Sequence, residues 1–108
     1  NRIPESLETN LAAARERPDD ALAHSQLGLS YYFLERPVEA ARHLERAIAL
    51  DPAHFSFPQL PLADIYLQMR DPVSAARVLR QFLALHPDAA QAPAVRTQLE
   101  VLGIGTRE

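Results

Sequence analysis

Apolar residues recur at the spacing of an α-helix in six segments of the chain, and turns rich in proline and acidic residues separate these segments. No segment alternates apolar and polar residues with the period of two that marks a β-strand. The pattern therefore predicts an all-α protein. The predicted helices run from about Pro4 to Arg17, Ala21 to Leu34, Pro37 to Leu50, Pro58 or Pro61 to Met69, Pro72 to Leu85 and Ala92 to Leu102.

Part of this pattern is an internal repeat. The block Pro37–Pro52 returns 35 residues later as Pro72–Pro87, with nine of sixteen positions identical. A period in the thirties is typical of stacked helical hairpins, none of which can bury its apolar face alone. Gly28 and Ala63 precede the two blocks at the same offset, and their small size predicts a close approach of the two helices within each hairpin. A bulky side chain at Gly28 should force those helices apart.

The upstream residues give each unit a longer motif that resembles the tetratricopeptide repeat, with its pattern W-x2-L-G-x2-Y, then A-x3-F and a closing proline. The first unit supplies His24, Leu27, Gly28, Tyr31, Ala40, Leu44 and Pro52, with Ala47 at the second small position. The second unit supplies Gln59, Leu62, Ala63, Tyr66, Ala75, Leu79 and Pro87, with Phe82 where the family usually has a small residue. The resemblance implies a right-handed α–α superhelix of about six antiparallel helices, with two full repeats and flanking helices.

These boundaries predict one domain over residues 1–108, with repeats at 21–54 and 56–89. Residues 4–17 form either the second helix of a truncated repeat or an unrelated packing helix. Residues 90–104 form a C-terminal helix that should shield the last repeat from water, as terminal units of repeat proteins do. That helix should pack through Ala94, Val95, Leu99 and Leu102, and Gly103 with Ile104 should form its left-handed cap.

Composition narrows the range of functions. The net charge of −3, with both signs interspersed, argues against a surface for nucleic acid. The absence of cysteine excludes a thiol nucleophile, a disulfide and a zinc knuckle. The apolar runs are too short to cross a bilayer, so we expect a soluble chain without membrane insertion. All eleven basic residues are arginine, which fits GC-rich bacterial coding, and the start at Asn1 suggests a piece of a larger protein.

The residues that could carry chemistry lack the spacing that chemistry needs. The four histidines show no metal-ligand pattern such as H-x3-H, and the serines occur in no nucleophile elbow. The three glycines cannot form a phosphate-binding loop. The sequence therefore predicts no metal, no cofactor and no catalytic site, and it indicates a binding protein.

The second predicted helix carries more apolar residues than a core stripe needs. Leu22, Leu29, Tyr32 and Phe33 lie about a quarter-turn from the motif stripe. In the tetratricopeptide repeat family, the first helix of each unit lines a concave groove that binds peptides. Alternatively, Tyr32, Phe33 and Phe57 pack on one another or under the N-terminal helix. The resemblance implies these groove residues: Leu22, Ser25, Leu29, Tyr32, Phe33, Phe57, Leu60, Asp64, Leu67 and Gln68.

The expected function is that of a non-catalytic scaffold that binds a peptide or an amphipathic helix through this apolar groove. One branch of the family clamps a C-terminal carboxylate with lysine, arginine and asparagine. Here Ser25, Leu29, Asp64 and Gln68 occupy those positions, so that activity is not expected. Two alternatives stay open. The repeats could position a substrate for, or regulate, a larger enzyme, or they could form a homo-oligomer through Phe55 and Phe57.

Overall fold

The computed structural model describes residues 5–103, except for the side chain of Ser6. Across these residues the secondary structure is entirely helical, as predicted. The boundaries agree with the sequence pattern to within one or two residues, and the predicted contact of Ile104 lies outside the described residues. The helices are α1 (Glu5–Glu16), α2 (Ala21–Phe33), α3 (Pro37–Leu50), α4 (Gln59–Gln68), α5 (Pro72–Leu85) and α6 (Ala92–Leu102).

The helix ends follow from local chemistry. The Asp20 carboxylate accepts a hydrogen bond from the Leu22 backbone N–H at 2.9 Å and so caps α2. Pro37 and Pro72 begin α3 and α5, where the missing N–H of proline leaves no helical hydrogen bond unmade. Gly103 ends α6 in the left-handed conformation, with φ of 70°, as its position in the sequence predicts.

The chain divides into two compact units at Pro58. In the first unit, α2 packs against α3, and α1 packs against α2. The Asn10 side-chain amide on α1 donates hydrogen bonds to the Gln26 carbonyl and to Ser30 Oγ of α2, at 3.3 and 2.9 Å. Asn10 thus replaces an apolar contact with a polar one. The buried apolar side chains of this unit are Leu7, Ala23, Leu27, Ala40, Ala41, Leu44, Ala47 and Ile48.

Gly28 lies where α2 and α3 approach each other most tightly. A Cβ atom at this position would come within 2.6 Å of Leu44 Cγ and 3.2 Å of the Ala40 carbonyl oxygen. Ordinary carbon contacts are about 3.5 to 4.0 Å, so even a methyl group does not fit without movement. The structure therefore supports the close approach that the small residue predicts.

In the second unit, α4 packs against α5, and α5 packs against α6. The core of this unit includes the fully buried side chain of Phe82. The prediction for α6 was partly wrong: its bounds are as predicted, but Ala94 is exposed and Ala92 is buried, because Ala92 lies three and seven residues before Val95 and Leu99 on the buried side of the helix. The buried apolar side chains of this unit are Leu62, Ala63, Ile65, Ala75, Ala76, Val78, Leu79, Phe82, Ala92, Val95 and Leu99.

The turn inside each hairpin has the same backbone geometry. Glu35 and Arg70, 35 residues apart, both adopt positive φ values, of 60° and 61°. In the first turn the Arg36 N–H donates to the Tyr31 carbonyl, and in the second the Asp71 N–H donates to the Tyr66 carbonyl. This is the Schellman pattern of a helix C-terminus, which usually places glycine at the left-handed residue. A residue with a Cβ atom is strained there.

Glu35→Gly is therefore expected to stabilise the protein by roughly 0.5 to 1 kcal/mol, because glycine adopts positive φ without steric cost. The measurement is chemical denaturation followed by circular dichroism. Ala49→Gly, on the exposed side of α3, is the matched control and should destabilise by a similar amount, because there glycine only weakens the helix. Equal losses in both variants would contradict the strain at Glu35.

Candidate functional site

Helix α2 has one buried side and one side that faces solvent. Ala23, Leu27 and Gly28 lie on the buried side. Leu22, Leu29 and Phe33 follow one another at intervals of seven and four residues on the other side, with Tyr32 beside them. These four residues, Leu22, Leu29, Tyr32 and Phe33, are called the α2 apolar surface below.

The aromatic end of the α2 apolar surface is the most accessible part of it. The side chain of Phe33 is 77% exposed, and Leu22 at the other end is 36% exposed. Tyr32 and Leu29 are half-buried. The rings of Tyr32 and Phe33 meet edge to face, with centroids 5.3 Å apart. Phe33 therefore does not belong to the core, although its ring packs on that of Tyr32, as the alternative interpretation of the sequence expects of these two residues.

The α2 apolar surface also lacks charge. None of the thirteen residues of α2 is aspartate, glutamate, lysine or arginine, and the exposed polar residue between Leu22 and Leu29 is Gln26. A partner would therefore lose little ion solvation on docking here, which favours apolar contact.

Ser25, predicted as a groove residue, lies in the interior and is 1% exposed. Its Oγ lies 2.8 Å from Ser56 Oγ, which in turn lies 2.8 Å from His54 Nδ1. His54 Nδ1 also accepts the Ser56 backbone N–H at 3.1 Å, which closes a local turn of the kind that side chains form with the backbone two residues on. Ser25 thus anchors the loop after α3 to α2 and offers no surface to a ligand.

The same loop presents two phenylalanines. Phe55 is 75% exposed and stacks on His54, with ring centroids 4.4 Å apart. Phe57 is half-buried and has a positive φ of 54°, a conformation that a bulky residue adopts only where its surroundings impose it. The hydrogen bonds among Ser25, Ser56 and His54 supply that constraint next to it.

In the second unit, the four predicted residues of α4 share one side of the helix. Leu60, Asp64 and Leu67 are spaced at i, i+4 and i+7, and Gln68 follows. Leu60 and Leu67 are half-buried, and Asp64 and Gln68 are exposed. The opposite side carries the buried Leu62 and Ile65. This mixture of half-buried leucines and exposed polar side chains is typical of the side of a helix that faces outward.

A histidine pair joins α2 to α3, and sequence reasoning missed it. His24 Nδ1 lies 3.2 Å from His43 Nδ1, and His24 Nε2 lies 2.8 Å from the Pro18 carbonyl oxygen. His43 is half-buried on α3, and its ring also stacks on Tyr31, with centroids 5.7 Å apart. The apolar pattern of α3 alone gives no signal for this contact, because it depends on how α2 packs against α3.

Burial lowers the pKa of His43 below its ordinary value of 6.5, and the charges of His24 and Arg42 lower it further, while Glu39 acts in the opposite direction. Two histidines are too few ligands for a typical protein metal site. Within residues 5–103, no three histidine, aspartate or glutamate side chains come together in a way that could hold a metal ion. None of the helices in this range is long and apolar enough to cross a membrane.

The two hairpins, α2 with α3 and α4 with α5, share sequence, helix order and turn geometry, which defines a helical-repeat protein. The sequence profiles of the tetratricopeptide repeat match residues 21–54 and 62–93, which together make up more than half of the chain. The chain belongs to the tetratricopeptide repeat family. Members of this family generally mediate protein–protein interactions and are generally non-catalytic. No curated protein sequence is significantly similar to the chain.

Proposed function

We propose that this protein is a non-catalytic interaction scaffold that binds an amphipathic helix of a partner protein through the α2 apolar surface. The observation that carries the proposal is Phe33, which is 77% exposed beside Tyr32 on a helix that has no aspartate, glutamate, lysine or arginine. Exposed aromatic residues of this kind commonly supply the strongest contacts of an interface. The family's general role in protein–protein interaction supports the same function.

The partner is argued from the geometry of the surface. Every element in the described range is a helix whose backbone groups are bonded internally, so an extended peptide finds no strand edge to pair with. A helix that packs on α2 can instead bury an apolar stripe against Leu22, Leu29 and Phe33. Leu22 and Phe33 are eleven positions apart, which corresponds to about 16 Å of helix and matches a partner helix of three turns.

The loop and α4 carry predicted residues that we propose as further contacts, each within its own unit. In the first unit Phe57 offers an apolar contact; in the second unit Leu60 and Leu67 of α4 offer apolar contacts, and Asp64 and Gln68 offer polar ones. Ser25 has no direct contact in this proposal because it is buried. We further propose that the chain is a module of a larger, bacterial protein, which its lysine-free composition supports.

The test begins with a displayed library of random peptides selected on the purified protein, followed by titration calorimetry with a selected synthetic peptide. We expect peptides with apolar residues at i, i+3, i+4 and i+7 that become helical when bound. Phe33→Ala and Tyr32→Ala should each weaken binding by about 2 kcal/mol, roughly 30-fold in Kd, because each removes an aromatic anchor. Circular dichroism should show both variants folded.

Val38→Ala is the matched control, since Val38 is another apolar residue of the first unit that is more than half exposed. It should change the Kd less than twofold. Unchanged affinity in both aromatic variants would overturn the proposed surface. Selected peptides that bind without becoming helical, yet still depend on Phe33, would keep the surface and replace the amphipathic helix by an extended peptide.

Self-association is the second candidate, and exposed Phe55 is the observation that favours it. Light scattering at several protein concentrations separates the two functions. A concentration-dependent dimer that Phe55→Ser disrupts, with no peptide selected by the α2 apolar surface, would establish the homo-oligomer instead. A catalytic domain adjoining this segment in the parent protein would make the repeats a substrate-positioning or regulatory part of an enzyme.

A further inference from the structure

We propose that His24, His43 and the Pro18 carbonyl form a proton-sensitive link that holds the hairpin of α2 and α3 together at neutral pH and weakens it in mild acid. The three groups lie on three successive segments of the first unit: the turn between α1 and α2, helix α2 and helix α3. They are joined in series, by contacts of 2.8 and 3.2 Å. The link is independent of the proposed function.

The bonding pattern of the link fixes the positions of its protons. A carbonyl oxygen can only accept, so His24 Nε2 must donate its hydrogen to Pro18. In a neutral His24 ring, Nδ1 is then the acceptor, and His43 Nδ1 must carry the hydrogen between the two rings. At neutral pH we therefore assign His24 to the Nε2–H tautomer and His43 to the Nδ1–H tautomer.

Only one additional proton fits into this arrangement. One added proton on the pair still leaves a donor and an acceptor between the two rings, because His43 can shift its own hydrogen to Nε2 and accept with Nδ1. A second proton would set two N–H groups against each other at 3.2 Å and place two positive rings with centroids 5.4 Å apart. The folded pair thus holds at most one additional proton in acid, whereas the two histidines of an unfolded chain can hold two.

The surroundings add to the cost of the second proton. His43 is half-buried and stacks on Tyr31, and the Arg36 guanidinium already lies 5.4 Å from the centre of that ring. The acidic group that favours a charged His43 is Glu39, which also bonds Arg36 at 2.7 Å. In the turn, Asp19 and Asp20 are paired with Arg46 and Arg17. The remaining charged residues of the packed helices are Glu5, Glu8, Arg15 and Glu16 on α1 and Arg42 on α3, which are exposed, and Glu45 on α3, which is half-buried.

The direction of the pH effect follows from proton linkage. Stability rises with pH wherever the unfolded state binds more protons than the folded state. The pKa of His43 is lowered in the folded chain. The contribution of the link to folding stability is therefore complete above pH 6.5 and is lost as the pH falls below that value. For each proton that the unfolded state binds beyond those bound by the folded state, the ratio of folded to unfolded hairpin falls by at most about tenfold per unit decrease in pH.

Hydrogen exchange in the intact chain tests the link, with protection factors corrected for the intrinsic exchange rate at each pH. Between about pH 7.5 and about pH 5, above the range of ordinary carboxylates, protection of Leu44 and Ile48 on α3 should fall roughly tenfold or more. Protection of Val78 and Leu79 on α5, in the other unit, is the internal control and should change much less. His43→Gln, whose amide can still donate to His24, should flatten the loss on α3, and His86→Gln should not.

Nitrogen-15 NMR spectroscopy of the histidine rings is a second test of the link, and it needs no variant. At neutral pH it should show His24 protonated on Nε2 and His43 on Nδ1. The proposal is overturned if His43 carries its hydrogen on Nε2 at neutral pH. It is also overturned if acid lowers protection equally on α3 and α5, or if His43→Gln keeps the full acid dependence on α3.

Discussion

Gly28→Leu is expected to lower the free energy of unfolding by roughly 1 to 3 kcal/mol, and by more if the hairpin cannot relax. Its Cβ atom alone would lie 2.6 Å from Leu44 Cγ, and the rest of the side chain has to enter the same contact between α2 and α3. Leu44 is fully buried and Cγ is its branch point, so the side chain cannot simply swing away. Urea denaturation followed by helical circular dichroism measures the change.

Gly28→Ala separates the two opposing terms at this position. Alanine is favoured over glycine by about 1 kcal/mol in helix propensity, but its Cβ atom makes the unfavourable contact with Leu44. Its stability should therefore fall between that of the wild type and that of Gly28→Leu. Ala63→Gly, at the equivalent position of the second unit, is the control and should lose only about 1 kcal/mol. Coincident unfolding curves for the wild type and Gly28→Leu would show that the contact is not tight.

The repeat made most of the helices predictable. The identical residues of α3 and α5 fix both helices and their phase, and the prolines and aspartates at their ends set the boundaries. Gly28 could also be interpreted correctly, because a small residue at a fixed place in a hairpin has few other causes. The buried side of the first turn of α6 was predicted wrongly, since an alanine-rich stretch gives almost no contrast between its sides.

The candidate site was less predictable because it depends on contacts between residues far apart in sequence. Ser25 occupies an outward position in the helical pattern, but the loop after α3 folds back and covers it with Ser56. His43 looks like a solvent residue on its own helix, and only the register of α2 against α3 brings it to His24. The apolar pattern of a helix identifies the side that faces the core. It does not predict the loops and polar pairs that cover the remaining sides.

Phe82→Ala is expected to destabilise the second unit by about 3 to 5 kcal/mol, the range found when a buried aromatic ring is replaced by a methyl group. Phe82 is fully buried and its ring centroid lies 5.3 Å from that of His86. The equivalent residue of the first unit, 35 positions earlier, is Ala47, which is also fully buried. The substitution therefore restores the small residue that the family usually has there and should still be harmful.

The reciprocal exchange shows why. Each unit has packed its other side chains around the residue it holds, so Ala47→Phe should overpack the first unit and cost roughly 1 to 3 kcal/mol or more. Val101→Ala, on the most exposed apolar residue of α6, serves as the control and should stay within about 0.5 kcal/mol of the wild type. Differential scanning calorimetry of the three variants measures the changes. If Phe82→Ala has the same melting temperature as the wild type, the packing around Phe82 is not specific to that residue. The second unit would then adapt to a small residue as readily as the family motif suggests.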